Sequence, residues 1–190
     1  MPTPPNVHIA PLSDLDIPKT FGVMSLSFGA DAPFINAYFP AHATPAGRAA
    51  GGGGYCRDRG LDGEEGVRRY WPEEEDREWM GVLWRDYVKP RTGALVGAEG
   101  RGVYVLELLA VHPEYRRLGA GAALVNVGLK AAEEKGVDAI IESTDAGGPL
   151  YEKCGLKCEI ERIVFDVGEQ FGGKKTPKLC FMTKGAVAAS

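Results

Sequence analysis

Between residues 72 and 89 the apolar side chains return at helical spacing: Trp79, Leu83 and Tyr87 stand at i, i+4 and i+8, with Trp84 and Val88 widening the stripe. That periodicity predicts one buried face of an amphipathic helix. The acids Glu73 to Asp76 suit the positive end of its dipole. Pro90 predicts its close, and Arg91 to Gly102 reads as a polar, glycine-containing connection. The pattern then changes. Val103 to Val111 reads VYVLELLAV, near-continuously apolar between Gly102 and Pro113, which predicts a strand covered on both faces. Ala122, Val125, Leu129 and Ala132 restore helical spacing up to Gly136, a natural left-handed stop. Ala139 to Ser143 predicts a second short strand, parallel to the first by the usual crossover geometry. Pro149 suits the first turn of a short helix carrying Tyr151 and ending at Gly155. Leu156 to Val167 and Leu179 to Thr183 read as two last strands around a Gly/Lys loop, Gly168 to Pro177.

The first third of the chain is less regular. Val7 to Ala10 reads as a short strand, and Ser13 or Asp14 as the cap of a helical region through Phe28, interrupted by Pro18 and Gly22. Phe34, Tyr38 and Phe39 suggest a second short helix ending at Pro40. Ala41 to Gly66 contains four consecutive glycines, Gly51 to Gly54, and few apolar anchors, so it reads as a flexible segment.

With 190 residues and 44% hydrophobic content the whole chain, 1–190, fits a single domain with a substantial core. A formal net charge of −4 gives no broad attraction to nucleic acid or to anionic membranes. No stretch approaches the ~18 apolar residues of a spanning helix, and the N-terminus lacks the basic start and apolar run of a signal peptide. A cytoplasmic location follows as the expectation. Cys56, Cys154, Cys158 and Cys180 form no C-x-x-C pair, and His8, His42 and His112 are scattered, so reduced thiols and no metal are expected.

Against that acidic balance Arg116-Arg117-Leu118-Gly119-Ala120-Gly121-Ala122 is informative. It lies where a strand gives way to a helix, so free amides and the positive end of a helix dipole meet two arginines. Such a terminus binds anions, and glycines allow close approach to the main chain. The Lys-Ser/Thr of a Walker loop is missing, and the register of a dinucleotide-binding G-x-G-x-x-G does not fit. A tight turn with solvated arginines is the other reading of the same seven residues.

The segment R-x-x-G-x-G/A, matched by Arg116, Gly119 and Gly121 with Ala122 following, resembles the pyrophosphate motif of the GNAT (GCN5-related N-acetyltransferase) superfamily. LELLAVHPEYRR before it resembles the family's fourth strand, and ESTDAGGPLYEKCGL its fifth strand and following helix. The stretch Val103 to Phe165, within a core of 103–167, is similar to members common in filamentous fungi. The resemblance implies an α/β (α+β) three-layer fold with a mixed, mostly antiparallel sheet, splayed central parallel strands and flanking helices. It implies acetyl-CoA as co-substrate, without a metal, and acetyl transfer to a primary amine, small molecule or peptide end, by direct attack.

Carried onto this chain, Leu109 and Val111 would offer backbone groups to the pantetheine arm, and Ser143 would face the same crevice. Arg116, Arg117, Leu118, Gly119, Ala120, Gly121 and Ala122 would hold the pyrophosphate. Tyr151 resembles the tyrosine that protonates the departing thiolate, a role open to a phenol protonated at neutral pH. Glu107, an acid within an apolar strand, should face a cavity; it is either a base with a pKa lifted by burial or a satisfied structural carboxylate. Cys154, one turn from Tyr151, is left unassigned.

One departure stands out. The antiparallel strand pair that normally precedes the fourth strand has no convincing counterpart, since Val82-Leu83 and Ala94 to Ala98 are poor substitutes. Early strands are therefore expected to be missing or remodelled, exposing the fourth strand's edge unless the Trp79 helix or a second subunit, making a homodimer, covers it. That loss keeps a noncatalytic coenzyme A-binding or protein-interaction module in view. Phe28, Phe34, Tyr38, Phe39, Trp79 and Trp84 are candidates for lining an acceptor pocket.

Overall fold

A computed structural model describes residues 7–48 and 71–186; the expectation for the glycine run falls outside these. Ser13 and Asp16 form a capping box, with Ser13 Oγ donating to Asp16 Oδ2 at 2.6 Å, and start α1 (Ile17–Phe28). Pro18 does not interrupt this helix, because it occupies the first turn, where no N–H bond is lost. α2 (Pro33–Tyr38) begins on a proline in the same way. Val7 to Ala10 forms no strand with any of the described residues.

α3 (Glu74–Tyr87) buries the predicted stripe Trp79, Leu83 and Tyr87, while Trp84 stays partly exposed. Pro90 does not end the helical run. It sits in the first turn of α4 (Lys89–Gly97), so most of the expected connection, including Ala94 to Val96, is helical. The predicted strand at Val103 to Val111 is ladder-paired only over β1 (Val103–Val105), and it is half-buried rather than covered on both faces. α5 (Ala120–Lys135) buries Val125, Leu129 and Ala132 and stops at Gly136, whose φ of +65° only glycine adopts freely. β2 (Asp138–Thr144), α6 (Gly148–Lys153), β3 (Lys157–Ile160) and β4 (Leu179–Lys184) follow.

The strands form a four-stranded mixed sheet in the order β1-β2-β4-β3 among the described residues. β1 runs parallel to β2, while β4 is antiparallel to both β2 and β3. The last two predicted strands are present, but the first is cut to Ile160, and Ile163 to Gly168 continues without strand pairing. No early strand pair precedes β1 among the described residues, so β1 is the edge there.

Alternation along β2 sorts the two layers. Ala139 and Ile141 join Val125, Leu129, Tyr151 and Met182 beneath α5 and α6. Ile140 faces the other way, with Tyr87, Ile163, Leu179 and Phe181 on the α3/α4 side. The Trp79 helix therefore backs one face of the sheet instead of closing its edge. Trp79, Met80 and Leu83 also pack with Ala37 and Phe171, while Phe21, Met24, Ile35 and Phe39 join α1 to α2 against Ala110.

One buried carboxylate ties α3 to the irregular segment after β3. Asp86 is fully shielded, accepts from Arg85 and Lys89, and receives the Asp166 backbone N–H at 2.8 Å. The Arg85 hydrogen bond, against the cost of burial, holds its carboxyl well below the usual carboxylate range. A depressed pKa contributes stability above the unfolded value of about 4 and loses it as pH falls. Asp86→Asn should therefore lower stability by about 2 kcal/mol at pH 7. The difference from wild type should shrink below about pH 4, which urea unfolding at pH 7 and pH 3 would show.

Candidate functional site

The site is organised by the end of one ladder. β1 and β2 pair as far as Val105 with Ile140, and the last bond runs from Leu106 N–H to Ile140 O at 2.9 Å. β2 continues to Thr144 against β4, but the other strand leaves it. From Glu107 to Val111 only one main-chain group has a partner among the described residues, the Val111 carbonyl, which accepts from Arg116 Nε at 3.4 Å. Such a run of unpaired donors and acceptors requires water or a ligand. Leu109 and Val111, both half-buried, lie on it. Their side chains pack towards α5: a Cβ at Gly121 would lie 3.5 Å from Val111 Cγ2, 4.0 Å from Leu109 Cδ2 and 3.1 Å from Leu150 Cδ2. Gly121 thus lets the helix terminus settle onto the diverging strand.

The arginine-glycine loop leads into that terminus. Arg117 and Gly119 both hold left-handed backbone, at φ of +63° and +89°, a costly conformation for arginine and a free one for glycine. The first helical bond is Ala123 N–H to Gly119 O at 3.0 Å, and the amides of Arg117, Leu118, Gly119, Ala120, Gly121 and Ala122 have no partner among the described residues. Free amides at the positive end of a 16-residue helix can cradle an anion. The two arginines differ. Arg116 donates to the Ser27 carbonyl at 2.6 Å as well as to Val111, which ties the loop to α1. Arg117 is exposed and makes no hydrogen bond or ion pair among the described residues.

Across the crevice Tyr151 has its ring in the core beneath α5 and α6. Burial, with a smaller contribution from Cys154, pushes its phenol up to about 12. The hydroxyl has no partner among the described residues, and no sealed side-chain oxygen or nitrogen there lacks one, so this hydroxyl is open to solvent or ligand. Ser143 lies on the same side of β2 and is buried, but its hydroxyl donates to the Thr144 carbonyl at 2.9 Å. Gly147 brings the two together: a Cβ there would sit 3.0 Å from both Ser143 Oγ and Tyr151 Cε2. Burial raises the Cys154 thiol, which leaves it protonated and a poor nucleophile.

Glu107 is not the buried carboxylate expected. Its side chain is 59% exposed and its Oε2 is paired with Arg91 Nη1 at 3.0 Å. The buried acid is Glu142 on β2, whose side chain is fully shielded and receives Arg91 Nε and Nη2. Arg91 Nη2 also meets the Tyr87 hydroxyl at 2.9 Å. Burial drives the Tyr87 phenol far above its ordinary range, with Glu142 adding to it. Burial, the largest single influence, would lower Arg91, but the Glu142 hydrogen bonds together with the charges of Tyr87, Glu142 and Glu107 outweigh it and keep the guanidinium charged. The sequence carried the signal for Glu142, an acid within the apolar run Ala139 to Ser143, as plainly as for Glu107. Among the described residues no three His, Cys, Asp or Glu side chains gather to hold a metal ion. No helix there is long and apolar enough to cross a membrane.

The sequence profile of the acetyltransferase (GNAT) family matches residues 55–156. A curated glucosamine 6-phosphate N-acetyltransferase from Trypanosoma brucei brucei is 27% identical over 103 residues, covering 48% of this chain and 70% of the relative.

Because the Tyr151 hydroxyl holds no partner among the described residues, Tyr151→Phe should shift the unfolding free energy by less than about 0.5 kcal/mol. Denaturant melts of the two proteins would check this, and a larger loss would mean that the hydroxyl has a structural partner.

Proposed function

The chain belongs to the acetyltransferase (GNAT) family and is an acyltransferase, and from that premise we propose that it moves an acetyl group from acetyl-CoA to a primary amine by direct attack. The observation that carries the reading is two runs of main-chain groups without partners among the described residues, those of 107 to 111 apart from the Val111 carbonyl and the amides of 117 to 122, which match in kind an amide-containing arm ending in a diphosphate. Leu109 and Val111 bind the arm through their backbone, with Ser143 on the facing strand. Arg116, Arg117, Leu118, Gly119, Ala120, Gly121 and Ala122 receive the phosphates, Arg117 supplying the charge that Arg116 partly directs to Ser27.

In the reaction the amine nitrogen attacks the thioester carbonyl carbon, a C–N bond forms, and the C–S bond breaks with its electron pair going to sulfur. A main-chain N–H steadies the transient oxyanion. Tyr151 gives its proton to the sulfur; a phenol held near 12 is protonated across the working range. Glu107, exposed at the start of the divergence with Oε1 unpartnered among the described residues, takes the proton of the attacking amine. The acceptor is a small-molecule amine or a peptide end met in the cytoplasm, and the amino sugar phosphate in the name of the relative is one candidate within that class.

Thiol release from acetyl-CoA, followed with glucosamine 6-phosphate, a polyamine, an aromatic amine and a short peptide, tests this. Release should require an amine and vanish in Arg116→Ala with Gly121→Trp, since the tryptophan side chain would enter the space beside Leu150 and Val111. Its rate should rise as the amine loses its proton and show no fall assignable to Tyr151 below about pH 11. The lack of an early strand pair among the described residues favours a second reading, a coenzyme A-binding module without turnover. Tight binding of coenzyme A with no release across the panel would establish that instead.

A further inference from the structure

The cluster beneath the diverging strands has an arrangement that the proposed reaction does not itself require. Two residues on from the last ladder pair, Val105 with Ile140, stand Glu107 and Glu142, so two carboxylates are opposed in register just past the point where pairing ends. Like charges there repel, and a fully shielded carboxylate such as Glu142 is costly without a cation beside it. The cation comes from α4. Arg91 donates from Nε and Nη2 to the Glu142 carboxylate, and from Nη1 to Glu107 Oε2. Its guanidinium lies 4.8 Å from the centroid of the Tyr87 ring, itself packed at 4.3 Å against Phe34 of α2. With the side chain of Arg91 only 16% exposed, the fork has little freedom to turn.

We propose that Arg91 is a positioning residue, a strut anchored on Glu142 that holds the Glu107 carboxylate at the mouth of the crevice, with Oε2 occupied and Oε1 presented to the acceptor amine. Guanidinium suits the task because its rigid fork engages two carboxylates at once; an ammonium on a flexible stem cannot hold both in one plane. Glu142 never meets the acceptor. It keeps the strut in place, and Tyr87 packs against the strut from α3.

This inference rests on the acetyl-transfer reading, and the test separates the two. The full chain is assayed with acetyl-CoA and whichever amine of the panel releases thiol fastest, as wild type, E107Q, R91M/E142Q and R91M/E142Q/E107Q. The double replacement removes the strut and its buried counter-charge together, so no unpaired ion remains in the core. Displacing the base should lower kcat of R91M/E142Q about a hundredfold, while the KM for acetyl-CoA stays within about twofold. E107Q alone should show a similar loss, and adding E107Q to R91M/E142Q should cost almost nothing further, because the two act as one unit. Should R91M/E142Q fail to fold, R91K carries the same cycle, keeping the charge Glu142 needs without the fork. Wild-type kcat in R91M/E142Q or in E107Q overturns the strut, as does a loss from E107Q that is equal in both backgrounds. A wild type with no amine-dependent release overturns the reading beneath it.

Discussion

The structure turns on a hydrogen-bond ladder that stops early. β1 and β2 are held together for three residue pairs and one further bond, after which one strand stays in the sheet and the other leaves it. An unpaired peptide group removed from water is costly, so the stretch from Glu107 to Val111 persists only where water or a ligand can reach it. A crevice with peptide-like walls is the outcome. α5 and α6 close one side through Gly121, Leu150 and Tyr151, and the Arg91 cluster supports the other.

The two sides carry different chemistry because β2 alternates. Ser143 points beneath α5 and α6, where Tyr151 is buried apart from an open hydroxyl; Glu142, one residue earlier, points to the α3/α4 side and its guanidinium partner. Desolvation raises the phenol and keeps it a proton donor. On the opposite face the burial of Arg91 is more than offset by its hydrogen bonds and the charges around it, so the guanidinium stays charged. The Tyr151 phenol and the Arg91–Glu142 pair thus lie on opposite faces of β2.

Much of this was legible in the order of residues, because the elements involved are set by local rules. The helix stripe at Trp79, Leu83 and Tyr87 and the stop at Gly136 follow from periodicity and from backbone freedom, and both are present. So are the parallel pair around α5 and the short helix bearing Tyr151. The failures are of another kind. Pro90 looked like a terminator, yet a proline is equally at home in a first turn, and only packing of Val88 and Ala94 onto the cluster of Tyr87, Ile140 and Phe181 decides which. Val103 to Val111 looked like one buried strand, but apolar composition does not reveal where a neighbour ends.

The sequence by itself determined the family, the strand-loop-helix terminus with its glycines, and the identity of the phenol on α6, since each is written in contiguous residues whose spacing is their meaning. Only the tertiary structure decided that Glu107 is exposed, that Glu142 is the buried acid and that Arg91, 51 residues away from it in the chain, joins the two. Charge pairing acts through space at hydrogen-bond range, and a linear order contains no information on which distant side chains a fold brings within it.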